Sequence, residues 1–260
     1  MKRRQRLRQL LELSAACEEL TVDEACRLTG ASPATIRRAF AELAETGEVE
    51  KTWGGIRSVA GSRALLAPPA FAARLAVHAA EKRAIAQAAA QLPREGEVVM
   101  IDGGTTTYQL AEFIAGRRLR VITNSLVIAQ AIDQFQGARR GAEVLLCGGI
   151  LQPESGIVAG PAAEAFLKRY RADWLFLGCA GVDAERVTNY EETVLASEKL
   201  MIERSARLVL LADQTKLGRA AMCELCPTKK LDHLVTSAAV PAGILRQIKG
   251  LGVETMRVSG

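Results

Sequence analysis

Residues 98–108 read Val-Val-Met-Ile-Asp-Gly-Gly-Thr-Thr-Thr-Tyr. The apolar run predicts a buried strand, the glycines a tight turn, and the threonines the start of a helix. A turn of this kind converges backbone N–H groups at a helix N-terminus, where the dipole favours an anion. Asp102, Gly103, Gly104, Thr105, Thr106 and Thr107 are therefore candidates for holding a phosphoryl group. The pattern is neither G-x-G-x-x-G nor a Walker loop, which needs a Lys after its last Gly. A purely structural turn with threonine caps would give the same letters.

Further along the chain, short apolar runs alternate with helical segments. The runs are 98–101, 120–123, 143–147, 174–177, 208–211, 234–236 and 253–258. Strand-then-helix alternation predicts an α/β, Rossmann-like domain with a mostly parallel sheet covered on both faces. Donor-rich or glycine-rich turns follow several of these strands: Thr123-Asn124-Ser125, Gly148-Gly149, Gly178-Cys179-Ala180-Gly181 and Asp213-Gln214-Thr215-Lys216. Open α/β sheets bind ligands outside the carboxyl ends of their strands, so these turns outline one crevice. Lys216 would neutralise a phosphate there, although an isolated Lys is more often just solvated. Tyr108, next to Thr107, could stack on a ligand or simply pack. Trp174 opens an apolar strand and reads as core. His78 reads as a helix-surface residue on a helix spanning 71–92.

The first sixty residues have a different grammar. Thr21 caps a helix over 22–29, with Glu24 placed as in a capping box and Gly30 as its C-terminal stop. Ser32-Pro33 opens the next helix, which runs to about Thr46. Extended pieces around Gly54-Gly55 form a hairpin. Helix, helix, turn, helix, hairpin is the order of a winged helix-turn-helix. In helix 32–46, Ile36, Ala39, Phe40 and Leu43 make the packing stripe, while Ala34, Arg38 and Ala41 face the other way, flanked by Thr35 and Arg37. Small residues with arginines suit a helix lying in the major groove. Ser32, Thr35, Arg37, Arg38, Trp53 and Gly54 are the candidate DNA-contacting residues, against the plainer alternative of a three-helix bundle with solvated arginines.

Thr35-Ile36-Arg37-Arg38, Leu43, Gly47 and Trp53-Gly54-Gly55 resemble the N-terminal domain of the DeoR family of bacterial repressors. That family has Thr-Ile-Arg-Arg-Asp-Leu in this helix and often His-Gly-Gly in the wing. Here Ala39-Phe40 stands for Asp-Leu and Trp53 for His. Asp102 through Thr107, Thr123-Asn124-Ser125, Gly148-Gly149, Gly160-Pro161, Gly178 with Gly181, Glu198-Lys199 and 213–218 resemble the family's sensor domain, related to ribose-5-phosphate isomerase. The resemblance implies a phosphorylated sugar or related metabolite as effector. It would be held by Gly104, Thr105, Thr106 and Thr107, with Asn124, Ser125 and Lys216 nearby. It also implies a repressor of a sugar or polyol operon that binds double-stranded operator DNA as a dimer or tetramer. The alternative is a sugar-phosphate isomerase-like enzyme. Such an enzyme needs a positioned carboxylate base. The related isomerases carry Asp-Gly-Ala-Asp where this chain has Gly178-Cys179-Ala180-Gly181, with Asp183 and Glu185 as the nearest carboxylates, so no catalytic residue is expected.

The domains are expected at 1–59 for the winged helix-turn-helix, 60–70 for a linker and 71–260 for the α/β effector-binding and oligomerisation domain. The chain has 260 residues and a net charge of +5, enough to permit nucleic-acid binding without demonstrating it. Lys2, Arg3, Arg4, Arg6 and Arg8 crowd the N-terminus. No apolar run long enough to span a bilayer and no secretory signal is read, so a cytoplasmic, membrane-free protein is expected. The cysteines should then be free thiols. Cys223 and Cys226 form a lone C-x-x-C without the partners a zinc site needs, and no metal or cofactor is expected.

Overall fold

The computed structural model describes residues 3–17, 19–59, 71–137 and 141–259. The expected linker at 60–70 lies outside the described residues. Two compact units divide between Val77 and His78.

The first unit contains α1 (Arg3–Ala16), β1 (Leu20–Thr21), α2 (Val22–Thr29), α3 (Pro33–Glu45), β2 (Val49–Lys51), β3 (Gly55–Ser58) and α4 (Phe71–Ala76). The local signals work as read. The Thr21 hydroxyl accepts from the Glu24 N–H, and Gly30 closes α2 in the left-handed conformation at φ 68°. Ser32 caps α3 with Pro33 in its first turn. Ile36, Ala39, Phe40 and Leu43 are the buried residues of α3. They pack with Leu10, Leu13, Leu20, Ala25, Val49 and Ile56. Each large apolar side chain so buried contributes about 1.5–3 kcal/mol. β1, β3 and β2 form a small antiparallel sheet in that order.

The single helix expected over 71–92 is broken in two. α4 ends at Ala76, His78 takes φ 52°, and α5 covers Ala79–Ala89. The physical reason is that the segment serves two cores. Ala73 and Val77 are buried with the first unit's cluster. Ile85, Ala86 and Ala89 belong to the α/β cluster. His78 is therefore the residue at the break, capping α5, and not a side chain on a continuous helix surface.

The second unit continues with β4 (Val98–Ile101), α6 (Thr105–Tyr108), α7 (Leu110–Ile114), β5 (Arg120–Thr123), α8 (Leu126–Gln136), β6 (Glu143–Leu146), β7 (Ile150–Gln152), β8 (Ile157–Ala159), α9 (Pro161–Leu167) and β9 (Ala172–Leu177). Then come β10 (Gly181–Val182), β11 (Arg186–Asn189), α10 (Glu192–Glu203), β12 (Ser205–Ala212), β13 (Cys223–Pro227), β14 (His233–Ser237), α11 (Ala242–Gly250) and β15 (Glu254–Val258). The expected strands form one seven-stranded sheet, ordered β15-β14-β12-β9-β4-β5-β6. Every neighbouring pair in it is parallel. Alternate residues face opposite layers, as strand geometry requires. Met100, Leu175, Leu210 and Leu234 pack with α9, α10 and α11 residues. Val99, Ile101, Phe176, Val209 and Val235 pack with α5, α7 and α8. The result is a three-layer α/β/α sandwich. β5 and β6 extend from one side of β4, and the later strands from the other. Chain direction across the sheet thus reverses between β4 and β9, where ligands bind in such folds. The small ladders β7-β8 and β10-β11-β13 are additions that the apolar pattern does not announce.

Because each unit has its own core, Phe40→Ala should cost about 3–5 kcal/mol in the first unit only. Denaturant unfolding followed by far-UV circular dichroism is expected to show an early transition for that unit and an unmoved one for the α/β unit. A common shift of both would contradict separate cores.

Candidate functional site

At the switch point, the strand ends are tied by side chains from the neighbouring turn. Asn124, wholly buried, donates from Nδ2 to Asp102 Oδ1 at 3.0 Å and accepts the Gly103 N–H at 3.0 Å. Thr123 Oγ1 donates to the Ile101 carbonyl at 2.7 Å and accepts the Ser125 N–H. Ser125 caps α8. The Asp102 N–H donates to the Phe176 carbonyl at 3.0 Å, joining the turn to β9. Gly103 has no space for a side chain, since a Cβ there would lie 2.5 Å from Ile157 Cγ1. A Cβ on Gly104 would come 3.8 Å from the Gly178 Cα. Gly104 and Gly178 thus face each other at the ends of the paired strands β4 and β9.

The predicted residues therefore divide by role. Thr107 is fully buried and donates its hydroxyl to the Gly104 carbonyl at 3.0 Å. Thr123, Asn124 and Ser125 hold the turn. Thr105 and Thr106 each keep 7% exposure. At the start of α6 the N–H groups of Thr105 and Thr106 have no acceptor within the helix. Tyr108 is partly buried against the core cluster. Trp174 is buried at the opposite end of its strand, donating to Glu97 at 2.8 Å.

Lys216 ends a short helical turn held by Asp213, whose Oδ1 accepts the Thr215 N–H at 2.9 Å. Lys82 Nζ lies 3.6 Å from Asp213 Oδ2, both side chains nearly sealed. Burial works to raise the Asp213 carboxyl, but Lys216 and Lys82 outweigh it and hold the group below its usual range. Burial lowers Lys82, and Lys216 adds to that. Glu81 also acts on Lys82, so the two lysines are matched by two carboxylates. Glu81 fixes the same loop, accepting the Gln214 N–H at 2.8 Å. Lys82 was invisible in the sequence because nothing in Ala79-Ala80-Glu81-Lys82-Arg83 marks one charge as buried. Cys179 adjoins this cluster, and burial pushes its thiol up to about 12, which makes it unreactive. The six cysteines are free thiols. Among the described residues, no group of three or more His, Cys, Asp or Glu is placed to hold a metal ion.

Two buried carboxyls complete the crevice. Burial pushes Asp102 up to about 6, against hydrogen bonds from Asn124 and the neighbouring backbone. Burial, with repulsion from Asp102, raises Glu198 well above the usual carboxylate range. Glu198 Oε1 accepts from Asn189 Nδ2 at 2.6 Å. The turn 178–181 carries no carboxylate. Asp183 instead folds the β10–β11 hairpin, accepting the N–H groups of Glu185 and Arg186 at 2.8 Å.

In the first unit, Arg37 and Arg38 are exposed on α3 opposite its buried stripe. Ser32 and Thr35 engage each other, Oγ to Oγ1 at 2.9 Å, so their first duty is the cap. The wing tip carries Trp53 fully exposed, 104% against its reference value. Gly54 beside it takes φ 149°, a backbone only glycine adopts freely. A Cβ on Gly55 would strike the Leu20 carbonyl at 2.3 Å. Gly55 is thus what lets β1 approach the wing.

A winged helix-turn-helix unit with exposed arginines on its third helix, followed by a parallel α/β unit, is the arrangement of a sensing transcription regulator. Residues 6–61 match the family model of the DeoR-like helix-turn-helix domain, and 77–238 that of the DeoR C terminal sensor domain. The chain belongs to the DeoR family of DNA-binding transcriptional regulators and is not an enzyme. It is 31% identical over 257 residues to the regulator GlpR of Haloferax volcanii, covering 97% of this chain and 96% of that one. It is 31% identical over 260 residues to the regulator UlaR of Escherichia coli O127:H6, covering 98% of each. A protein of Escherichia coli O157:H7 described as an aga operon transcriptional repressor is 29% identical over 256 residues, covering 98% of this chain and 93% of that one. Among solved structures, ribose 5-phosphate isomerase A from Methanocaldococcus jannaschii matches with TM-score 0.39 and 16% identity. The match covers 54% of this chain and 55% of that one. Among the described residues, no helix is long and apolar enough to cross a membrane.

A carboxyl whose folded value is raised holds its proton more tightly folded than unfolded. Its stabilising contribution is complete below 3.8 and is lost as pH rises through about 6 for Asp102. Asp102→Asn should therefore raise the melting temperature more at pH 8 than at pH 5. Calorimetry at both pH values checks this, and an equal change at both contradicts it.

Proposed function

We propose that this regulator is a repressor of a sugar or polyol catabolic operon, released by a phosphorylated sugar or a related metabolite, and that it works in the cytoplasm. The observation that carries the effector reading is the switch-point crevice. The first N–H groups of α6, the opposed Gly104 and Gly178, and the ammonium groups of Lys82 and Lys216 supply donors at the same strand ends. The phosphoryl group sits against Gly104, Thr105 and Thr106 with Lys216 beside it. Asp102, Gly103, Thr107, Thr123, Asn124, Ser125 and Gly178 shape the site. The description of the aga relative as a repressor supports the direction of control.

On the DNA side, residues 1–59 read the operator. Arg37 and Arg38 reach into the major groove, Ser32 and Thr35 lie at the helix end nearest the backbone, and Trp53 with Gly54 presents the wing. The α/β unit carries self-association as a dimer or tetramer, so the operator is palindromic with half-sites about one helical turn, roughly 34–36 Å, apart. Effector and operator then oppose each other because the effector favours the state that binds DNA less well.

The test is fluorescence anisotropy with an operator selected from random duplexes. Phosphorylated pentoses, hexoses and hexitols are added to the complex. At 100 times its dissociation constant, a ligand that favours the free form stabilises it by about 2.7 kcal/mol, enough to dissociate the complex. Arg38→Ala should weaken operator binding by about 1–3 kcal/mol with effector affinity unchanged. Operator binding that no phosphorylated sugar alters would overturn the effector assignment, and undiminished binding by Arg38→Ala would overturn α3 as the reader.

A further inference from the structure

Trp53 is 104% exposed, against 66% for Ile150, the next of the exposed large apolar side chains among the described residues. Single apolar side chains on a surface are ordinary. Trp53 differs because the backbone on both sides of it is pinned. The Thr52 hydroxyl donates to Glu19, and the Thr52 N–H donates to the Gly55 carbonyl at 3.1 Å. The Gly54 carbonyl accepts the Val22 N–H, at the start of α2, at 3.0 Å. Gly55 lies so close to Leu20 that no Cβ fits. The largest apolar side chain in the chemistry of proteins is thus held out on a fixed turn with both aromatic faces in water, and such faces are used by stacking.

The surroundings of the tip say what it meets. A cleft between α3 and the wing is lined by Arg37 and Lys51, with Phe40, Thr52, Gly54 and Gly55. Among the described residues that line it are two cations and no carboxylate. That suits a sugar–phosphate strand, which carries one negative charge at every phosphate. With α3 in the major groove, a strand seated in this cleft puts the wing tip across that strand, at the minor groove.

We infer that Trp53 is a minor-groove wedge: its indole enters between two base pairs beside the half-site, partly unstacks them and bends the operator toward the major groove. This rests on the reading of α3 as the operator helix and deepens it. Apolar side chains inserted in this way kink a duplex by about 20–90°. Pyrimidine–purine steps, TA and CA/TG, unstack most readily, whereas adenine tracts are stiff. Trp53 therefore selects a flexible step at a position that no hydrogen bond reads. A protein surface could also cover an exposed indole, but the cations beside this one favour a polyanion.

The test uses the full chain and an operator selected from random duplexes, set at different positions in fragments of equal length. Wild type should retard the fragments according to where the site lies, as a bend of about 20–90° requires. Trp53→Ala should remove most of that dependence and weaken binding by about tenfold, and Trp53→Phe should restore both. Trp53 is fully exposed, so neither replacement disturbs a core. Changing the flanking pyrimidine–purine step to AA should cost wild type about tenfold and Trp53→Ala about twofold or less. The chain has two tryptophans and Trp174 is buried, so quenching of exposed indole emission by the duplex reports on Trp53. Bend and affinity unchanged in Trp53→Ala overturn the inference and spare α3 as the reader, as do selected operators with no such step in their flanks. A kept bend with a smaller DNA-free assembly in Trp53→Ala assigns the indole to a contact between copies and overturns it too. Wild type that binds no duplex at low salt overturns both readings.

Discussion

The sensor half of the protein depends on one buried amide. Asn124 uses both ends of its side chain, donating to the Asp102 carboxylate and accepting the Gly103 N–H. It thereby fixes the end of β5 against the turn after β4. Thr123 repeats the tie between the same two strands. A satisfied polar network in a dry interior is stiff. Its stiffness fixes where α6 begins and where the first N–H groups of that helix point. A side chain on Gly103 would collide with Ile157, and one on Gly104 would press on Thr107 Oγ1 at 3.1 Å.

Around that fixed turn the charges are sorted. Lys82 and Lys216, matched by Asp213 and Glu81, stand on the β12 side, and Asp102 and Glu198 put carboxyls on the α10 side. The turn after β9 is Gly178-Cys179-Ala180-Gly181, and Asp183 is committed to a hairpin.

Much of this was legible in the chain. The strands of the main sheet are parallel and covered on both faces, so each reads as an unbroken apolar run. The α3 stripe and its Ser32-Pro33 cap follow from local rules that tertiary packing did not override. What escaped the sequence shares a different character. The break at His78 arises because one segment is shared between two cores, and helical propensity does not report which core a residue joins. Lys82 and Glu198 look like surface charges in Ala-rich or mixed helices; only burial distinguishes them. The β7-β8 and β10-β11-β13 ladders are too short and too polar to show a period. For the same reason Thr107 and Thr123 could be named as part of the site, but their hydroxyls could not be known to be spent on the turn.

The central claim is that the start of α6 holds the phosphoryl group of a small ligand. The direct measurement is a titration of D-ribose 5-phosphate into the isotope-labelled full chain, following backbone amide resonances. The account predicts that the largest shifts fall on Gly104, Thr105 and Thr106, with Lys216 following at the same ligand concentration. Saturable shifts centred elsewhere, with those amides unmoved, would contradict it.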